Sequence, residues 1–179
     1  MTCLCSHIPH LFIDSFMAVD LKNIKDEDLI QLYPDLISEL KQRGIIRTNN
    51  IVGELGEYFA VKIFNDNSNL PKLQKALAST ENVDANSSKG HRYSIKSTSS
   101  RQTGVFHSES LYNTDSPCFE YLLVITWDKN YQVEYLIQYT WEQFVEYRRM
   151  KNPEKKYFSP LNEKIIGDGL IIYSKYRIN

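Results

Sequence analysis

The chain has 179 residues, enough for one domain with a sizeable core and too few for two. Its 42% hydrophobic and 24% charged residues are ordinary for a globular protein, and a net charge of -1 excludes global attraction to nucleic acid, so any polyanion contact must come from a local patch. Three cysteines make no disulfide framework, which points to a reducing, cytoplasmic setting, and no apolar run reaches the length of a membrane span, so no membrane partner is expected.

Residues 1–16 (MTCLCSHIPHLFIDSF) lack a basic start and a small-residue cleavage site and do not read as a secretory signal. Cys3, Cys5, His7 and His10 match no common zinc spacing, and the expectation is a loosely packed N-terminal extension. Met17 opens a more natural beginning (Met17-Ala18-Val19-Asp20), so residues 17–179 read as a single domain with its core at about 48–150.

From Asp26 to Gly44, Leu29, Leu32, Leu36, Ile37 and Leu40 recur near helical spacing and Gly44 suits the stop, while Pro34 predicts a kink or two short helices. A second helix is expected from about Asn49 to Phe64, capped by Thr48 or Asn49, with Val52, Leu55, Phe59 and Ile63 as its apolar stripe. Residues 65–70 are turn-rich, and Lys72–Ser79 fits either helix or strand. Val83–Asn86 and His91–Thr98 read as strands joined by a hairpin turn at Ser87-Ser88-Lys89-Gly90, and residues 99–117 read mostly as loop. Phe119–Trp127 is a strongly apolar strand, and Val133–Gln138 is another. Thr140–Met150 carries a capping-box signature in Thr140 and Gln143, and Leu170–Tyr173 is a last short strand. This order predicts a mixed α+β domain, a central mixed sheet flanked by helices.

Candidate chemistry gathers at three places. The helix segment Gly53-Glu54-Leu55-Gly56-Glu57-Tyr58-Phe59-Ala60 carries two acids three apart, on one face. Its glycines cost about 1 kcal/mol each relative to alanine, which suggests a close approach to another backbone. Asp84 follows in Asn82-Val83-Asp84-Ala85, and Lys96 lies in Tyr93-Ser94-Ile95-Lys96-Ser97, where alternation puts it on a face with Ser94 and Thr98. The hairpin brings Asp84 towards Lys96, a neighbour that favours the ionised carboxylate and leaves it a hard oxygen ligand for magnesium or manganese.

The set of helix acid, then Asp84, then Lys96 resembles the PD-(D/E)xK nucleases of restriction-endonuclease-like fold, nearest to their Mrr-like branch, over roughly residues 48–139. The resemblance implies an α-β-β-β-α-β core and a Mg-dependent (or Mn-dependent) endonuclease acting on DNA, in bacterial restriction or defence, with a homodimer as a further expectation. By resemblance Glu57 or Glu54 is the helix acid, Asp84 the central metal ligand and Lys96 the catalytic lysine. The sequence departs from the motif at Ser94, where a second acid is expected, so the ion would rely on Asp84, a helix glutamate, the backbone carbonyl of Ile95 and waters. The alternative is an inactive DNA- or protein-binding module on the same scaffold, and an RNase of toxin type is a third reading.

Between Ala85 and Ser108 there is no acid, while Lys89, His91, Arg92, Lys96 and Arg101 all fall there among hydroxyl residues. Lys89, Arg92, Ser97 and Arg101 are therefore the expected DNA-contacting residues. Arg148, Arg149 and Lys151 form a second cluster, expected at a helix C-terminus where cations also suit the dipole. His107, Tyr112 and Cys118 suggest no role, since no orienting third group accompanies a Cys/His pair.

Overall fold

The computed structural model describes residues 19–77, 80–106, 111, 114–151 and 156–176. The N-terminal extension with Cys3, Cys5, His7 and His10, together with Met17, His107 and Tyr112, lies outside these residues. The chain forms two compact units that meet in sequence at Leu55 and Gly56.

In the first unit, α1 (Asp26–Gln42) is one continuous helix with Pro34 inside it. Of the two expectations, the split into two short helices does not occur: the proline ring removes a single backbone bond, and strong helix formers on both sides carry the helix through. Asp26, Glu27 and Asp28 in the first turn suit the dipole. The stop is where the glycine places it. Gly44 has φ +66°, its N–H reaches the Lys41 carbonyl at 2.9 Å, and Ile45 N–H reaches the Leu40 carbonyl at 2.9 Å, a Schellman ending. No residue of α1 is buried.

Helix α2 (Ile51–Asp66) crosses from the first unit into the second. Asn50, rather than Thr48 or Asn49, supplies its cap, the Asn50 side chain accepting from Gly53 N–H at 3.4 Å. Thr48 instead braces the cap, accepting from Asn50 N–H at 3.1 Å.

The second unit is built on a six-stranded sheet in the order β1-β2-β3-β4-β5-β8. Its strands are β1 (Leu73–Lys75), β2 (Ala85–Ser87), β3 (Arg92–Thr98), β4 (Tyr121–Trp127), β5 (Val133–Thr140) and β8 (Leu170–Ser174). All neighbours are antiparallel except β3 and β4, which run parallel with Lys96 opposite Val124. β4 is buried on both faces, which explains its unbroken apolar run. The mixed α+β architecture is the one the sequence predicts, with two strands, β4 and β5, between β3 and the next helix.

Each face of the sheet has its own cover. Phe59 and Phe64 of α2 pack edge-on against Trp127 and Tyr93, with ring centroids 5.7 Å apart in both pairs. Phe106, Phe119, Leu122, Val124, Ile137, Tyr139, Trp141 and Phe144 cluster together as a separate core. Leu122 and Val124 alternate with Leu123 and Ile125 along β4, so this core lies on the face away from α2.

Helix α3 (Trp141–Tyr147) starts at the expected capping box, with Gln143 N–H on Thr140 Oγ1 and Thr140 N–H on Gln143 Oε1. It ends three residues early. Arg149–Lys151 form not a helix terminus but a strand, β6, paired with β7 (Lys156–Phe158) in a two-stranded ribbon. The ladder between these strands satisfies backbone groups that a helix would have bonded locally. A short α4 (Glu163–Asp168), capped by Asn162, precedes β8.

Candidate active site

The first strand of the hairpin, β2, begins one residue after Asp84, at Ala85. Ile95 N–H, with no ladder carbonyl opposite it, donates to Asp84 Oδ2 at 2.6 Å. The side chain therefore sits in the gap where β2 and β3 part. Ser94 Oγ donates to the same oxygen at 3.3 Å, and Ser94 itself is 0% exposed. Two donors fix the carboxylate's orientation, while Oδ1 accepts no hydrogen bond from the described residues. In an extended residue the N–H and C=O point the same way, so the Ile95 carbonyl faces the same gap.

Lys96 follows on the face of Ser94. Its ammonium lies 4.6 Å from the centre of the Phe106 ring, an attraction of cation to ring quadrupole, and it makes no ion pair with the described residues. Successive same-face residues of a strand are about 6–7 Å apart, which puts Lys96 one step along from the Asp84–Ser94 contact. Phe106 is a site residue that the sequence reading missed. Its only signal is a large apolar side chain in an otherwise polar loop.

The helix acids stand elsewhere. Glu57 Oε2 pairs with Lys75 Nζ at 3.8 Å. Lys75 lies opposite Ala85, which lies opposite Tyr93, and Tyr93 packs on Phe64 of α2. Glu57 is thus on the α2 face of the sheet and Lys96 on the other, so the expected meeting of helix acid, aspartate and lysine in one pocket does not occur. Glu54, in the first unit, is buried and pairs with Arg47 at 3.4 Å. Burial pushes its carboxyl up, but hydrogen bonds from Arg47 and Thr48 and the Arg47 charge together hold it below the usual value. Among the described residues no three His, Cys, Asp or Glu side chains gather closely enough to hold a metal ion.

Two of the expected DNA-contacting residues are committed to structure. Arg92 Nη2 donates to Glu120 Oε1 at 2.6 Å and to the Pro117 carbonyl at 2.9 Å. The Glu120 hydrogen bond raises the Arg92 pKa, and its counterpart lowers that of Glu120. Ser97 Oγ accepts Trp127 Nε1 at 2.6 Å under α2. Lys89 is exposed at the hairpin turn. Arg101, also exposed, lines a cleft of about 780 Å³ with Ser99, Ser100, Trp127, Tyr135 and Glu163. That cleft contains neither Asp84 nor Lys96.

The donor set suits a hard cation in part: one carboxylate oxygen on Asp84 and the Ile95 carbonyl, with the rest of the shell to come from waters, which magnesium commonly retains. No protein-family model matches the chain, and no curated protein is significantly similar to it.

Proposed function

We propose that this chain is a metal-dependent DNA endonuclease whose working residues are Asp84, Ile95 and Lys96, acting in a cytoplasmic setting in bacterial restriction or defence, with a homodimer serving to cut both strands. The observation that carries the reading is the Asp84 carboxylate, held by Ile95 N–H at 2.6 Å in the opening between β2 and β3, one strand step from Lys96. Asp84 Oδ1 and the Ile95 carbonyl would hold a magnesium or manganese ion. When bound, that ion supplies Lewis-acid polarisation of a phosphate oxygen and a more acidic water.

The residues of the chain then divide the work. Ile95 N–H and Ser94 Oγ keep the Asp84 carboxylate aimed, since both donate to its Oδ2. Lys96 offers the positive charge that a phosphoryl group needs as negative charge builds on its oxygens. Phe106, 4.6 Å from the ammonium, steadies the Lys96 side chain by a cation–ring contact. Glu57 and Glu54 have no part in this scheme, being engaged with Lys75 and Arg47.

A second reading is a DNA-binding module that does not cleave. It is favoured by Ser94 in the place of a carboxylate and by the absence of a three-ligand acidic cluster among the described residues. Incubation of supercoiled plasmid and of structured RNA with the protein, in magnesium, manganese and EDTA, separates the readings. Metal-dependent nicking of the plasmid supports the endonuclease, binding without nicking in any ion supports the module, and cleavage of RNA alone overturns both in favour of an RNase.

A further inference from the structure

The cleft that Arg101 lines lies at the carboxyl ends of the two parallel strands, β3 and β4. Thr98 stands opposite Thr126, and Thr126 opposite Tyr135, one same-face step beyond the pairing of Lys96 with Val124. Cross-strand partners share a face, so Thr126 and Tyr135 line the cleft from Lys96's side of the sheet. Pro160, Leu161 and Ile166 add apolar wall. At about 780 Å³ the cleft falls within the roughly 300–1,000 Å³ of sites that hold small molecules.

Two opposite charges border the cleft without meeting. The loop after β3 is tied by its own hydroxyls: Thr98 Oγ1 and Ser100 Oγ both donate to the Gln102 carbonyl, at 2.8 and 2.9 Å, and Ser100 N–H donates to Thr98 Oγ1 at 3.0 Å. Leu161 N–H donates to the Arg101 carbonyl at 2.7 Å, which pins the backbone at Arg101. The Arg101 guanidinium is exposed and makes no hydrogen bond or ion pair with the described residues. Glu163, the first residue of α4, is likewise exposed and unpaired among them. Asn162 accepts Ile165 N–H at 2.9 Å through its amide oxygen, which leaves its NH2 as a donor. The other two charges of the lining are engaged: Tyr176 OH donates to Glu134 Oε1 at 2.7 Å, and Lys164 pairs with Asp168 at 2.7 Å.

We infer that this cleft binds a single nucleotide, with the base against Tyr135, Pro160 and Leu161, the base edge towards Glu163 and Asn162, and the phosphate on Arg101. An arginine and a carboxylate held apart call for a ligand with an anion at one end and hydrogen-bond donors at the other. A phosphate takes the guanidinium fork in two parallel bonds. A nucleobase edge offers donors to the carboxylate and acceptors to the amide. The apolar wall suits the face of the ring. Glu163 and Glu134 set the cleft against a duplex backbone, whose row of phosphates would meet like charge. The site stands without the nuclease reading. Where that reading holds, the occupant is an unstacked nucleotide of the strand that Lys96 meets.

The test is a calorimetric titration of the full chain, without divalent ions so that binding is read apart from cleavage. The probes are deoxynucleoside monophosphates, the matching nucleosides, inorganic phosphate, an aromatic amino acid and a short single strand. Wild type is compared with Arg101→Gln and Glu163→Gln, two exposed positions, each checked for unchanged thermal unfolding. Arg101→Gln should weaken the monophosphates at least roughly tenfold and the nucleosides by less than about twofold, while Glu163→Gln weakens both alike. A monophosphate that binds more tightly than the single strand assigns the site to free nucleotide, and the reverse order assigns it to a nucleotide within a strand; either supports the cleft. No monophosphate binding at roughly millimolar concentration overturns it, as do phosphate alone binding as tightly, tighter binding of the amino acid, or unchanged affinity in both variants. An Arg101→Gln loss equal for nucleotide and nucleoside also overturns it. Plasmid nicking by a protein that binds no nucleotide removes the cleft and leaves the nuclease, and Arg101-dependent nucleotide binding without nicking supports the cleft and removes the nuclease.

Discussion

A methyl group added at Gly56 would lie 2.5 Å from Ser97 Cβ, so α2 rests on β3 at van der Waals distance only because residue 56 has no side chain. Gly56 is therefore a packing device on the sheet face opposite Lys96.

Gly56→Ala should destabilise the protein by about 1–3 kcal/mol despite the helix propensity that alanine brings, because the clash falls on strand atoms and on Ile125. Gly53→Ala differs. Its new carbon would press on the Asn50 side chain, which can swing away, so a lost cap of about 1 kcal/mol roughly cancels the propensity gain. Urea unfolding of the two variants checks the contrast.

Ser97→Ala should cost about 1–3 kcal/mol, since Trp127 Nε1, which donates to Ser97 Oγ at 2.6 Å, is left without that acceptor. Ser97→Thr keeps an oxygen and should recover part of the loss in the same unfolding assay.

The Arg92–Glu120 pair makes stability depend on pH. The Arg92 hydrogen bonds hold the Glu120 carboxyl below its ordinary 4.5 in the folded protein. A depressed folded-state value means the contribution is complete above the unfolded value and is lost as pH falls through the folded one. Glu120→Gln should therefore lower the melting temperature relative to wild type at neutral pH, and the gap should close on acidification below 4.5. A gap that widens in acid would contradict this.

Ser94→Asp restores the acid that the resemblance expects. Ser94 is fully buried against Asp84, so a second carboxylate there meets like charge in a poorly solvated place. Without divalent ions the variant should unfold more easily by about 1–3 kcal/mol, and manganese should recover the loss by binding the folded state. Thermal unfolding with and without manganese reads both effects. The same metal dependence in wild type and variant would argue against an ion at this position.

Local signals were legible in the chain wherever local physics set the structure. Gly44 ends α1, Thr140 and Gln143 start α3, and the unbroken apolar run of β4 marks a strand covered on both faces. The ribbon was not legible. Arg149-Met150-Lys151 has too little apolar pattern to read as a strand, and becomes one only by pairing with Lys156–Phe158. The same limit applies to the site. Alternation along β3 puts Lys96 with Ser94, but which sheet face α2 covers depends on the packing of Gly56, Phe59 and Phe64, which the sequence does not order in space. Glu57 was therefore grouped with residues on the other side of the sheet. Arg92 and Ser97 read as free polar groups because their partners, Glu120 and Trp127, lie 28 and 30 residues away.

The division of roles is tested most directly by plasmid nicking in magnesium, measured for wild type, Asp84→Asn, Lys96→Met and Glu57→Gln with duplex binding followed in parallel. The account predicts that Asp84→Asn and Lys96→Met abolish nicking while binding persists, and that Glu57→Gln nicks within about threefold of wild type. A wild type that never nicks, or loss of nicking in Glu57→Gln as complete as in Asp84→Asn, would contradict it.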